Sequence, residues 1–118
     1  MPPIIGGLSK LMDQLNAVGL EFTNEDLVAG AEVIMQKAQD LCPVDTGFLQ
    51  RSAFINDQGD EVLIGFDAEY ASYVEFGTYK MEAQPYLRPA IDEMELEALR
   101  AIVDHITQQG YSHVQGAG

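Results

Sequence analysis

The chain has no tryptophan, one cysteine, two histidines and only six basic residues among 118. Each shortage closes off a class of function. A lone cysteine, Cys42, excludes an intramolecular disulfide. Asp40 and Asp45 stand near it where a reactive thiol wants a positive charge or a base. Cys42 therefore reads as a small apolar residue in the last turn of a helix. His105 and His113 both fall near the C-terminus, with no second ligand at metal spacing and no triad pattern. No G-x-G-x-x-G and no P-loop occurs. No apolar run approaches the ~20 residues that span a bilayer. The start, Met1-Pro2-Pro3-Ile4-Ile5, lacks the basic and long apolar regions of a secretory signal, so a cytoplasm-like compartment is expected.

The shortage of basic residues, set against 19 acidic ones, gives a net charge of −13. Such a surface repels phosphate and anionic headgroups, so neither specific nucleic-acid binding nor membrane binding is expected. It keeps a monomer soluble, repels DNA passing nearby and steers toward a basic partner.

What is present suits one domain over residues 1–118: the length is right, and 47% hydrophobic residues can fill one core. Residues 1–7, with two prolines and two glycines, read as a flexible arm. Leu8, Leu11, Met12, Leu15 and Val18 recur at helical spacing up to Gly19. This short helix is expected to be mobile or to dock only in an assembly. Thr23 with Asp26 three residues on makes a capping box, with Asp in place of the usual Glu. It opens a helix whose apolar stripe is Leu27, Val28, Ala31, Ile34, Met35, Ala38, Leu41 and Cys42, closed by Pro43. In the turn that follows, Asp45 is placed to accept the backbone N–H groups of Gly47 and Phe48. Residues 52–56 and 61–66 read as two strands joined by Asn56-Asp57-Gln58-Gly59-Asp60, a β-hairpin. The tip has too few oxygen ligands for a calcium loop.

Asp67 to Ala90 is the densest stretch, with Tyr70, Tyr73, Phe76, Tyr79 and Tyr86 among Gly77, Pro85, Arg88 and Pro89. On a helix Tyr70, Tyr73 and Val74 share a face, with Phe76 at its flank. Gly77 reads as the helix stop. Either Arg88 or Arg51 pairs with Glu75 or Asp45, tying the two turns together, or both arginines snorkel to solvent. Pro85 to about Gln108 reads as the longest helix, with a core stripe of Leu87, Ala90, Ile91, Met94, Ala98, Ile102 and Ile106. Leu96, Leu99 and Val103 widen that stripe beyond one core face, for packing against another subunit or within the monomer. With Tyr79 and Met81 of the preceding loop they are the candidate subunit contacts. Residues 110–118 read as a flexible tail. The fold class expected is α+β: a small antiparallel sheet built on the hairpin, packed against two longer helices, with a short helix after the hairpin.

Four blocks stand in order over residues 42–90: C-P-V-D-T-G-F-L-Q-R-S, V-L-I-G, Y-A-S-Y-V-E-F-G-T and Q-P-Y-L-R-P-A. Together they resemble the phage tail-component family, the gene-product-ten-like neck or tail-completion proteins of siphophages and related prophages. That resemblance marks Pro43, Asp45, Thr46, Gly47, Leu49, Ser52, Gly65, Tyr70, Ala71, Glu75, Gly77, Thr78, Pro85, Arg88, Pro89 and Ala90. It implies an α+β structural subunit with no enzyme activity and no cofactor. It also implies a virion location in the neck or tail after assembly in the bacterial host cytoplasm. The expected partners are the chain itself, in a six-fold or twelve-fold ring, and other phage neck and tail proteins. Two readings compete with it. One is an acidic adaptor or DNA-mimic inhibitor that binds a basic protein partner, which rests on charge alone. The other is a small hydrolase, which needs Asp45, Glu75 and His105 within hydrogen-bond reach.

Overall fold

A computed structural model describes residues 4–43 and 47–117, and the side chains of 8–43 and 47–108. The elements run β1 (Ile4–Gly7), α1 (Ser9–Ala17), α2 (Asn24–Leu41), α3 (Phe48–Arg51), β2 (Ala53–Asp57), β3 (Val62–Phe66), α4 (Ala71–Phe76), α5 (Leu87–Glu93) and α6 (Glu95–Ala117). This is the expected α+β class, with helices packed on an antiparallel sheet and a short helix after the hairpin.

The hairpin forms as read. β2 and β3 pair antiparallel, with Phe54 opposite Gly65 and Ile55 opposite Ile64. Gly59 takes φ 91° at the tip. The Asp57 carboxylate accepts the Gly59 N–H at 2.9 Å and the Asn24 amide at 2.8 Å, which pins the tip to the start of α2.

The segment read as an arm adds a third strand. Ile4–Gly7 pairs antiparallel with the other side of β3, giving the order β1-β3-β2. A lone hairpin would leave the outer backbone edge of its buried strand β3 to find partners, and the extended Ile4–Gly7 satisfies it.

α1 docks within the single chain, burying Leu11 and Leu15. α2 carries the central apolar stripe, with Leu27, Ala31, Ile34, Met35, Ala38 and Cys42 all buried. Its capping box is complete: Asp26 accepts the Thr23 N–H at 2.8 Å, and the Thr23 hydroxyl accepts the Asp26 N–H at 3.3 Å. α2 packs against α6 so closely that a Cβ at Gly30 would lie 2.6 Å from Ile102 Cδ1 and 3.1 Å from the Ala98 carbonyl. A mid-helix glycine, ordinarily unfavourable, is what lets the two backbones approach.

The long C-terminal helix differs from expectation at both ends. It starts at Leu87 and breaks at Met94, whose φ −101° and ψ 11° leave the helical region. No proline or glycine marks the break, and bonding continues through it: Met94 donates to Ala90 at 3.0 Å and accepts from Ala98 at 2.8 Å. Just past it, Glu95 meets the Lys10 ammonium at 3.1 Å and the Gln14 amide, linking α6 to α1. The backbone of α6 then runs to Ala117, through the residues read as a tail.

Candidate functional site

The marked residues of the third and fourth sequence blocks converge on a corner between α4 and the start of α5. α4 is short and begins after Tyr70, where no side chain caps it. Its buried face is Ala71 and Glu75, one turn apart, and not the aromatic face expected. Tyr70 and Phe76 are exposed, while Tyr73 and Val74 are half-buried. Small Ala71 lets the helix sit close, and Glu75 is turned inward because it has donors to meet there.

Those donors are backbone amides. Glu75 is 1% exposed. Its Oε1 accepts the N–H of Tyr86 at 3.0 Å and of Leu87 at 2.9 Å, and its Oε2 accepts the N–H of Arg88 at 3.0 Å. The first four N–H groups of a helix have no partner inside it. Here three of them go to one carboxylate, and the fourth position is Pro89, which has no N–H to satisfy. Glu75 thus caps α5 from eleven to thirteen residues away, with a negative charge at the positive end of the helix dipole.

The expected ion pair takes a different form. Glu75 bonds the backbone amide of Arg88, and the guanidinium lies over the Phe76 ring, 5.6 Å from its centroid. Three orphan amides compete for the same two oxygens and win, because they are held in place by α5 itself while the arginine can reach solvent. Asp45 and Thr46 lie outside the described residues, so the cap read for Asp45, and its pairing with Arg51, lie there too.

Tyr86 locks the corner from the other side. It is fully buried, its hydroxyl donates to the Ala71 carbonyl at 2.8 Å, and its ring meets Phe66 of β3 edge-on with centroids 4.8 Å apart. Burial, with the Glu75 charge beside it, pushes the Tyr86 hydroxyl pKa well up, so it remains a donor. The same two causes push the buried Cys42 thiol up to about 11. Tyr86 is not among the residues the resemblance marks, and its place between two prolines is the signal the sequence offers.

Gly77 makes the turn out of α4 with φ 76°. A Cβ there would lie 2.8 Å from the Ala83 nitrogen and 2.9 Å from the Met81 carbonyl oxygen. Thr78 and Met81 then close a tight turn through bonds of 2.8 and 3.2 Å, and the Thr78 hydroxyl accepts the Lys80 N–H at 3.2 Å. Gln84 donates to the Val74 carbonyl at 2.8 Å, returning the chain to Pro85.

The remaining marked residues have structural places. Pro43 follows the end of α2, and Gly47 precedes α3 with φ 74°. Leu49 is buried and its carbonyl accepts the Ser52 hydroxyl at 2.7 Å. Gly65 lies in the central strand between Ile5 and Phe54. Ala90 is buried against the core. Of the candidate contacts, Tyr79, Met81, Leu96 and Val103 are exposed, Tyr79 by 93%. Leu99 instead packs against the core.

His105 is far from this corner in its bonding. Its Nδ1 meets Asp26 Oδ1 at 2.5 Å, joining α6 to the first turn of α2. Burial pushes the Asp26 carboxyl up, but the hydrogen bonds from His105 and Thr23 together outweigh it and hold its pKa below the usual range. Among the described residues no group of three or more His, Cys, Asp or Glu could hold a metal ion. Among them too, no helix is long and apolar enough to cross a membrane.

The fold is thus a small α+β domain in which Ala71, Glu75, Gly77, Thr78 and Arg88 turn, cap and pack one corner. Residues 8–77 match the family model described as "Bacteriophage HK97-gp10, putative tail-component", and the chain belongs to that family. It stands among phage tail components, proteins of the virion that work in contact with other phage proteins. The match takes in the first two sequence blocks and the third up to Gly77, so Gln84–Ala90 lies beyond it. Neither a curated protein nor a solved structure matches the chain.

Proposed function

We propose that the chain is a tail-completion subunit of the siphophage neck, which closes into a six-fold or twelve-fold ring and helps join tail to head. The observation that carries this reading is the set of large apolar side chains left exposed on so acidic a protein. Phe48, Phe76, Tyr79, Leu96 and Val103 are each more than a third exposed. Exposed apolar side chains of this size are the kind that subunit boundaries bury. A ring needs a head-to-tail contact that closes by rotation. The acidic charge suits a wall past which DNA moves, because it does not hold phosphate.

The subunit acts by assembly and not by catalysis. Two observations support this. Glu75 spends both oxygens on three backbone amides, and His105 is bonded to Asp26. Of the three residues a hydrolase would require, Glu75 and His105 are therefore committed to holding helices in place.

The test is complementation. A phage deleted for this chain is expected to accumulate separate heads and tails that join when the purified chain is added. Normal joining in its absence would overturn the proposal.

A further inference from the structure

α4 has a knob at one end and a groove at the other. Past its C-terminal end, the Thr78–Met81 turn holds Tyr79 almost wholly in solvent. Two backbone bonds and the Thr78 hydroxyl fix this turn, so little freedom remains to be lost when it docks. Before its N-terminal end, Phe48 stacks on Tyr70 with centroids 6.2 Å apart, and both rings are exposed. Beside them Phe54, Ile55, Asp67 and Ala68 help line a cavity of about 590 Å³ along the outer strand β2. That volume is in the range of built pockets, roughly 300–1,000 Å³. The six residues of α4 separate knob from groove by only about 9 Å of helix rise.

One charge at each end is of opposite sign, Lys80 at the tip and Asp67 at the groove. Lys10 and Lys37 are paired with Glu95 and Glu93. Lys80 has no carboxylate partner among the described residues and lies 5.4 Å from the Tyr79 ring. At the groove, Asp67 and Glu69 are exposed next to the aromatic pair, and Arg51 also lines it. The tip thus offers a tyrosine and a lysine, and the groove offers aromatic rings with Asp67 and Arg51 in the same lining.

We infer that the groove receives the Tyr79 tip of a second copy of this chain, with Lys80 of that copy set against Asp67. This rests on the ring reading above and specifies its contact. Knob and groove are different surfaces, so the contact is heterologous and leaves one of each free until a ring closes. A tyrosine seated among aromatic side chains is the usual form of an interface anchor.

The experiment measures assembly by sedimentation velocity for the full chain and its variants. Tyr79→Ala, at a solvent-exposed position, keeps the parent circular dichroism spectrum and is expected to weaken self-association at least about thirtyfold. Phe48→Ser is expected to weaken it as well. A mixture of these two variants is expected to form dimers through the one intact pair of surfaces, and no rings. Lys80→Glu weakens assembly, and adding Asp67→Lys to it restores assembly. If the parent forms rings and Tyr79→Ala forms them equally well, or if the charge swap gives no rescue, this contact is wrong while the ring reading stands. If the parent remains monomeric at millimolar concentration, the ring reading falls and the contact with it.

Discussion

Glu75 meets Arg88 at its backbone N–H, 3.0 Å from Oε2, and leaves the guanidinium to the ring of Phe76. The two residues are therefore unequal in what they hold together. Removing Glu75 strands three amides at the start of α5, two of them on buried residues. Each unsatisfied buried donor costs about 1–3 kcal/mol. Glu75→Ala is expected to destabilise the fold by at least about 3 kcal/mol, and Arg88→Ala by about 1 kcal/mol or less. Urea denaturation of the two variants checks this. Equal losses would restore a side-chain ion pair as the tie.

The contact between α2 and α6 gives a steric prediction. Gly30→Ala places a methyl 2.6 Å from Ile102 Cδ1, against a backbone carbonyl that cannot move aside. The gain in helix propensity is about 1 kcal/mol, and overpacking costs about 1–3 kcal/mol. Net destabilisation is expected, and Ile102→Val in the same chain should recover part of it. A Gly30→Ala variant more stable than its parent would show that the helices can part without cost.

Asp26 gives a pH prediction with a definite sign. Its folded pKa lies below its ordinary value, because the bonds from His105 and Thr23 outweigh burial. The stability it contributes is present above the unfolded pKa and is lost as pH falls through the folded one. The loss is expected below about pH 4, the ordinary aspartate range. Asp26→Asn should flatten the acid limb of a stability–pH curve in that window. Glu25 and Glu32, which line the same surface cavity as His105, remain in both proteins and serve as the background. An unchanged acid limb would mean that the Asp26–His105 bond carries no linkage.

Cys42 supplies an internal probe of opening. Its thiol is 3% exposed and its pKa is pushed up to about 11, so at neutral pH it is both covered and protonated. A disulfide reagent is expected to label it only at the rate at which the core opens. Labelling as fast as in urea-unfolded chain would place Cys42 outside the core.

Local chemistry was readable in the sequence, and distant pairings were not. Thr23 and Asp26 stand three positions apart, so their reciprocal cap follows from spacing alone. The hairpin and the stripe on α2 follow in the same way. Glu75 was marked, but its donors sit eleven to thirteen positions on, across a turn whose path depends on Gly77. Opposite charge suggested an arginine where backbone amides were the true partners. His105 and Asp26 are 79 positions apart and share no pattern. Ile4–Gly7 looked like an arm because two glycines follow two isoleucines; only the open edge of β3 makes it a strand. The exposure of Tyr70 and Phe76 does not follow from helical spacing, which cannot say that the six-residue α4 buries Ala71 and Glu75 instead.

The mass of the purified chain as a function of concentration, read by light scattering with negative-stain images of the same samples, bears most directly on a self-assembling neck subunit. Closed rings of six or twelve copies, formed by the parent chain and lost in Tyr79→Ala, are the expected result. A monomer at every concentration, from a phage whose heads and tails join normally without it, would contradict it.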